Sequence, residues 1–140
     1  MKLLVAHDGS SQSAKALVTA ATLAKSLGAL VTIVTVVPDL CLSTEELSPE
    51  NCDLVDKSLA DEARGRMAKV AKSVEEAGFQ ATIVIRNGRP ADEIVEAARE
   101  EEADMLVIGS TGKHGARKFI LGSVSSRVAE YAECNVLIVK

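Results

Sequence analysis

Short apolar runs alternate with longer stretches of helical period along this chain, and that alternation limits its possible folds more than any other feature. Lys2 to His7 reads as a buried strand, and Asp8-Gly9-Ser10-Ser11 as a turn followed by a helix start. From Ala14 the apolar positions Leu17, Val18, Ala21, Ala24 and Leu27 recur at three- and four-residue steps, which predicts one helical face packed on a sheet, with Gly28 as the stop. Residues 29–37 are rich in Val, Ile and Thr and end at Pro38, the pattern of a strand buried on both faces. Residues 39–53 mix Pro, Ser, Glu and Asn without a period and predict an irregular connection with at most a short helical turn. Helical character returns from Val55 to Ala77 through Val55, Leu59, Ala63, Val70 and Val74, weakened in the middle by Gly65 and ended by Gly78.

Residues 81–86 predict a third strand, and Asn87-Gly88-Arg89 a turn. Pro90 then opens a helix carrying Ile94, Val95 and Ala98. A fourth strand over 103–108, a helix over 123–132 and a fifth strand over 136–139 complete the series. Strands separated by helices at this spacing imply a doubly wound α/β domain, a parallel sheet covered on both faces through right-handed crossovers. Such sheets take ligands outside the carboxyl ends of the strands, where the strand order reverses. Two loops belong there: Asp8-Gly9-Ser10, and the stretch from Gly109 to Ser123.

With 140 residues and 47% hydrophobic content, the chain is long enough for one complete core and too short for two ordinary domains, so a single domain over 1–140 is expected. The longest apolar stretches fall far below the roughly 20 residues of a bilayer span, and the start turns polar too early for a secretory signal. A cytoplasmic location is the resulting expectation. A net charge of −4 argues against broad capture of nucleic acid or anionic membrane, and Phe79, Phe119 and Tyr131 are too few aromatics for a base-stacking platform. Cys41, Cys52 and Cys134 form an odd set without Cys-x-x-Cys spacing, and His7 and His114 lie far apart. Cys41 and Cys52 could approach across one loop, but free thiols are the expectation, with neither a zinc nor a disulfide framework.

The second loop has the chemistry of a phosphate cradle. Glycines leave no Cβ between main chain and anion, and the first amides of a helix point unpaired N–H groups outward. No Walker A loop occurs, and no Gly-x-Gly-x-x-Gly. Instead, Gly109, Gly112, Gly122 and Ser123 fill the spacing Gly-x2-Gly-x9-Gly-Ser, with Val-Ile-Gly-Ser before and Leu-Gly-Ser-Val-Ser-Ser-Arg-Val-Ala after. With the opening strand, Asp8-Gly9-Ser10 and the closing Val-Leu-Ile-Val, the whole chain resembles the universal stress protein family, ATP-binding branch.

The resemblance implies an adenine nucleotide alpha hydrolase-like sheet of order 3-2-1-4-5, usually in a homodimer, with ATP at the switch point and Mg2+ or Mn2+ on its phosphates. By position it implies adenine near the backbone of Val36 and Asp8 near the ribose and phosphate region, with Ala6 and His7 beside it in the nucleotide-binding set. The amides of Gly112, Gly122 and Ser123, with the Ser123 hydroxyl, would hold the phosphates, and Gly109, Val124 and Ser125 complete the implied nucleotide-binding set. Cys134-Asn135 departs from a Cys-Pro pair common in the family, which bears on the turn before the last strand more than on a ligand.

Each of these residues also has a plainer account. The glycines could merely shape a loop, Ser123 could cap its helix, and Asp8 could favour the helix start after it. Lys113, His114, Arg117 and Lys118 read equally as a solvated loop, Arg89 as a surface arginine, and His7 as a strand-end side chain lining the site, with no nucleophile spaced to use it as a base. No water-positioning carboxylate or arginine-finger pattern accompanies the loop. The expected function is therefore binding by a stress-response regulator rather than dedicated catalysis. A slow ATPase or phosphotransferase using His7, Asp8 and Lys113, and a ligand-free scaffold, are the alternatives.

Overall fold

A computed structural model describes residues 1–41, 45–111 and 120–140 of the chain. Five parallel strands, β1 (Lys2–Ala6), β2 (Leu30–Pro38), β3 (Ala81–Gly88), β4 (Met105–Gly109) and β5 (Asn135–Val139), form one sheet in the order β3-β2-β1-β4-β5. Between them run the helices α1 (Ser11–Leu27), α2 (Pro49–Glu76), α3 (Pro90–Glu100) and α4 (Ser123–Tyr131). None of the described helices is long and apolar enough to cross a membrane.

The two faces of the sheet follow from side-chain alternation along β1. Leu3 and Val5 enter a core shared with Ala16, Ala20 and Ala24 of α1 and with Met67 and Val74 of α2. Leu4 and Ala6 enter a second core with Ala91, Ile94 and Ala97 of α3 and Val128 of α4. The doubly wound α/β domain and its strand order are thus as expected from the sequence. β1 sits at the centre, and the reversal of order lies between β1 and β4.

Four local expectations are corrected. First, α1 starts at Ser11 and buries Ser13, Ala16, Ala20 and Ala24, while Val18 and Leu27 are 68% and 53% exposed. Small side chains let this helix approach the sheet, with Leu17 and Leu23 packed at the margin of the core and Val18 and Leu27 turned outward. The closeness is measurable at Gly109, where a Cβ would stand 2.9 Å from Gln12 Cβ and 3.0 Å from Gln12 backbone carbon. Second, α2 begins at Pro49, six residues before Val55. Ser48 Oγ accepts from Asn51 N–H (3.3 Å), and Pro49 needs no N–H in the first turn. The Ser-Pro-Glu text, read as irregular, is a helix start.

Third, β3 continues through Asn87 and Gly88, which stay in register with Val37 and Pro38 rather than forming a free turn. Fourth, Cys41 and Cys52 are not free thiols but a disulfide, with Cα atoms 5.7 Å apart. The early start of α2 is the reason: it places Cys52 in the opening turns of the helix, beside the exit of β2. Cys134 is the free cysteine among the described residues, and burial pushes its thiol pKa up.

Candidate functional site

A cavity of about 480 Å³ opens at the carboxyl ends of β1, β2 and β4, at the reversal of strand order. Its floor comes from β1. Ala6 is buried, and His7 is 7% exposed, its backbone N–H donating to Val34 O (2.9 Å). Gly9 at φ +84 turns the chain so that its N–H donates to His7 Nδ1 (3.2 Å) and Ser10 N–H donates to Asp8 Oδ1 (2.9 Å). Ser10 caps α1, its Oγ accepting from Ser13 N–H (3.1 Å), while Ser13 Oγ donates back to Ser10 O (2.8 Å). Asp8 therefore does shape the turn as its plainer account holds, and the same residue lines the cavity. His7 lines it too, as a strand-end side chain.

The opposite wall is the junction of β4 and α4. Ser125 is buried, and its hydroxyl lies 3.0 Å from the carbonyl oxygens of both Gly109 and Ser110, a donor shared between them. Gly122 N–H also donates to Ser110 O (2.8 Å). These bonds fasten the start of α4 to the end of β4. The helix cap is Gly122 and not Ser123, and no side chain accepts from the first turn. Ser123 stands at the first helical position, so the capping account of its hydroxyl is set aside. The first intrahelical bond is from Ser126 N–H to Gly122 O (2.9 Å), which leaves the amides of Ser123, Val124 and Ser125 without intrahelical acceptors at the cavity wall. Such amides, with the positive end of the helix dipole behind them, attract an anion.

The two glycines of this wall differ in what requires them. Gly109 is held to glycine by Gln12, as described above. Gly122 has an ordinary backbone (φ −62, ψ 159), and a Cβ there would meet its neighbours at 3.5 Å, normal contact. Among the described residues, nothing demands a glycine at 122. Gly112, Lys113, His114, Arg117, Lys118 and Phe119 lie outside the described residues.

The third wall is largely apolar. Val34, Val36, Val37 and Pro38 of β2 line it with Leu59 of α2 and Ile94 of α3. Here α2 adds a charged pair absent from the sequence reading: Arg66 Nη2 donates to the buried Thr35 Oγ1 (3.3 Å), and Arg66 Nη1 lies 3.8 Å from Glu62 Oε1. Their i,i+4 spacing was the available sign that they share a helix face. That this face looks into the site depends on how α2 packs across β2, which spacing does not reveal. Arg89, by contrast, is exposed and does not line the cavity.

The cavity thus gathers Ala6, His7, Asp8 and Val36 with Gly109, Gly122, Ser123, Val124 and Ser125. Strands lie about 4.8 Å apart, so β2 and β4, with β1 between them, are roughly 10 Å from each other, with the apolar wall on the β2 side and the amide wall beyond β4. A ligand with a flat apolar end and an anionic end matches that polarity.

Comparison with known proteins agrees with the architecture. The profile of the universal stress protein family matches residues 1–140. Universal stress protein YxiE of Bacillus subtilis is 37% identical over 145 residues, spanning 99% of this chain and 98% of its own. The solved structure of MJ0577 from Methanocaldococcus jannaschii matches with a TM-score of 0.86 at 29% identity, over 99% of this chain and 94% of that one. A universal stress protein solved in complex with cAMP matches with a TM-score of 0.66 at 26% identity, over 100% of this chain and 97% of that one. With a full-length family match, a relative this similar and a shared fold, the chain belongs to the universal stress protein family.

Proposed function

We propose that this chain is an ATP-binding regulatory protein of the stress response. In this reading adenine lies against Val36 and the apolar wall, the ribose lies over Ala6, His7 and Asp8, and the phosphates meet the amides of Ser123, Val124 and Ser125. Gly112 belongs to the same cradle by its motif position. The observation that carries the reading is the start of α4, whose first three residues line the same cavity as the apolar slot of β2 and have amides without intrahelical acceptors. The cAMP complex of a family member supports an adenine nucleotide as the ligand class.

Mg2+ or Mn2+ would be carried on the phosphates. The carboxylates of the described lining are Asp8, after β1, and Glu62, on α2, too few for a site built from protein oxygens alone. That donor set fits a metal held chiefly by phosphate oxygens and water, with Asp8 the nearer carboxylate. The metal would supply charge neutralisation. The protein's own part is to bind and orient: the amides fix the phosphates, Ser125 fixes the amides, and the Asp8 turn fixes the floor. Binding would order the 109–123 connection and change the surface offered to partners. A homodimer joined through β5 completes the proposal.

Calorimetric titration of nucleotide-stripped protein with Mg-ATP tests it. Saturation near one site per chain is expected, whereas no heat and no rise in melting temperature would leave the glycines as architecture and favour a scaffold.

A further inference from the structure

The exit of β2 and the start of α2 bring two short patterns together. Asp39 and Cys41 flank one residue on the connection, and Cys52 and Asp56 stand at i and i+4 on α2, hence on one helix face. The donor atoms of Asp39, Cys41 and Asp56 all lie within 4.8 Å of one another. Cys41 Sγ is 3.9 Å from Asp56 Oδ1 and is bonded to Cys52 Sγ. All four residues are half-buried. A separate observation concerns charge: from 39 to 56 the sequence carries Asp39, Glu45, Glu46, Glu50, Asp53 and Asp56, and no lysine or arginine. Two sulfurs and two carboxylates at one point, within a stretch of unmixed negative charge, make a cation-seeking arrangement once the sulfurs are thiolates.

We propose that Asp39, Cys41, Cys52 and Asp56 form a redox-gated zinc site, closed as a disulfide and open to Zn2+ when reduced. The chemistry balances in two steps. A dithiol delivers two electrons and two protons to the Cys41–Cys52 bond, leaving two thiols and itself becoming a disulfide. Zn2+ then displaces the two thiol protons to solvent and takes two thiolate and two carboxylate ligands. A disulfide holds its sulfurs about 2 Å apart, and tetrahedral zinc holds two thiolates about 3.8 Å apart, so side-chain rotation suffices to pass between them. Thiolate donors select zinc over magnesium, which separates this site from a metal carried on nucleotide phosphates. The site stands independently of whether the cavity binds ATP.

The test uses the full chain carrying Cys134→Ser, reduced with a trialkylphosphine. One phosphine and one water are consumed per disulfide, giving two thiols and the phosphine oxide. Zn2+ is then titrated calorimetrically with a large excess of Mg2+ present, and Co2+ is added in parallel as a spectroscopic stand-in. The expected result is one Zn2+ per chain and a thiolate-to-cobalt charge-transfer band. Affinity should be about 100-fold weaker or more in the oxidised protein and in Cys52→Ser, and at least about 10-fold weaker in Asp56→Asn. All variants are compared in the reduced state, with circular dichroism confirming equal helicity. Zinc bound no tighter after reduction, affinity retained in Cys52→Ser or Asp56→Asn, or a cobalt spectrum without thiolate bands would each overturn the proposal. If a variant unfolds, the cobalt spectrum of the parent protein still decides.

Discussion

Gly109 and Gly122 occupy equivalent places in the sequence motif, yet their surroundings assign them different work. At Gly109 a methyl group would press on Gln12 of α1, including its backbone, so Gly109→Ala should cost about 1–3 kcal/mol of folding stability in a denaturant melt. At Gly122 the backbone and neighbours accept a methyl group. Gly122→Ala should therefore leave stability within about 0.5 kcal/mol while weakening Mg-ATP by about tenfold or more, the methyl standing where a phosphate would approach. Equal loss of both properties at both positions would return the pair to a common architectural role. At this scale the sequence could indicate glycine at both positions and could not say why, because the reason at Gly109 is a residue nearly a hundred positions away and the proposed reason at Gly122 is a ligand outside the chain.

Among the elements, strands were more legible than helix faces. A strand buried on both sides declares itself by composition alone, as Val31 to Val37 did, whereas a helix face is chosen by what packs against it. In α1 the spacing suggested a stripe of Leu17, Val18, Ala21, Ala24 and Leu27, but contact with the sheet buried Ala16 and Ala20 with Ala24, and Val18 and Leu27 went to solvent. Ala20→Leu should accordingly destabilise the fold by about 1–3 kcal/mol, and Val18→Lys by less than about 0.5 kcal/mol, as measured by thermal or urea unfolding. The reverse ranking would mean that the helix is rotated from the arrangement described. The start of α2 was obscured for a related reason, since Ser48-Pro49-Glu50 serves a turn and a helix cap equally well until the following helix is in place. Leu59, Glu62 and Arg66 went unseen as cavity residues because the packing of α2 across β2, not the helix itself, turns them to the site.

The molecule as a whole presents a sheet with two unpaired edges, and they are not alike. Val139 O accepts from Ser110 N–H (2.8 Å), so Val139 and, by alternation, Leu137 turn their backbone groups toward β4, while Val136 and Ile138 turn theirs outward. Ile138→Pro removes an outward N–H and leaves the β4 ladder intact. If two copies join through β5, this variant should sediment as a monomer with a near-native melting temperature, and an unchanged dimer would place the interface elsewhere. At the other edge, β3 carries Arg86, whose guanidinium bonds Glu100 Oε2 (2.6 Å) and Glu93 Oε2 (2.7 Å), charges that α3 holds beside the outermost strand. An apolar edge facing a charged one is a poor head-to-tail match, whereas an apolar edge facing its own copy about a two-fold axis is consumed by the act of joining. If two copies join in this way, growth of the sheet ends at two molecules, and the asymmetry between its borders would act as a stop against filaments.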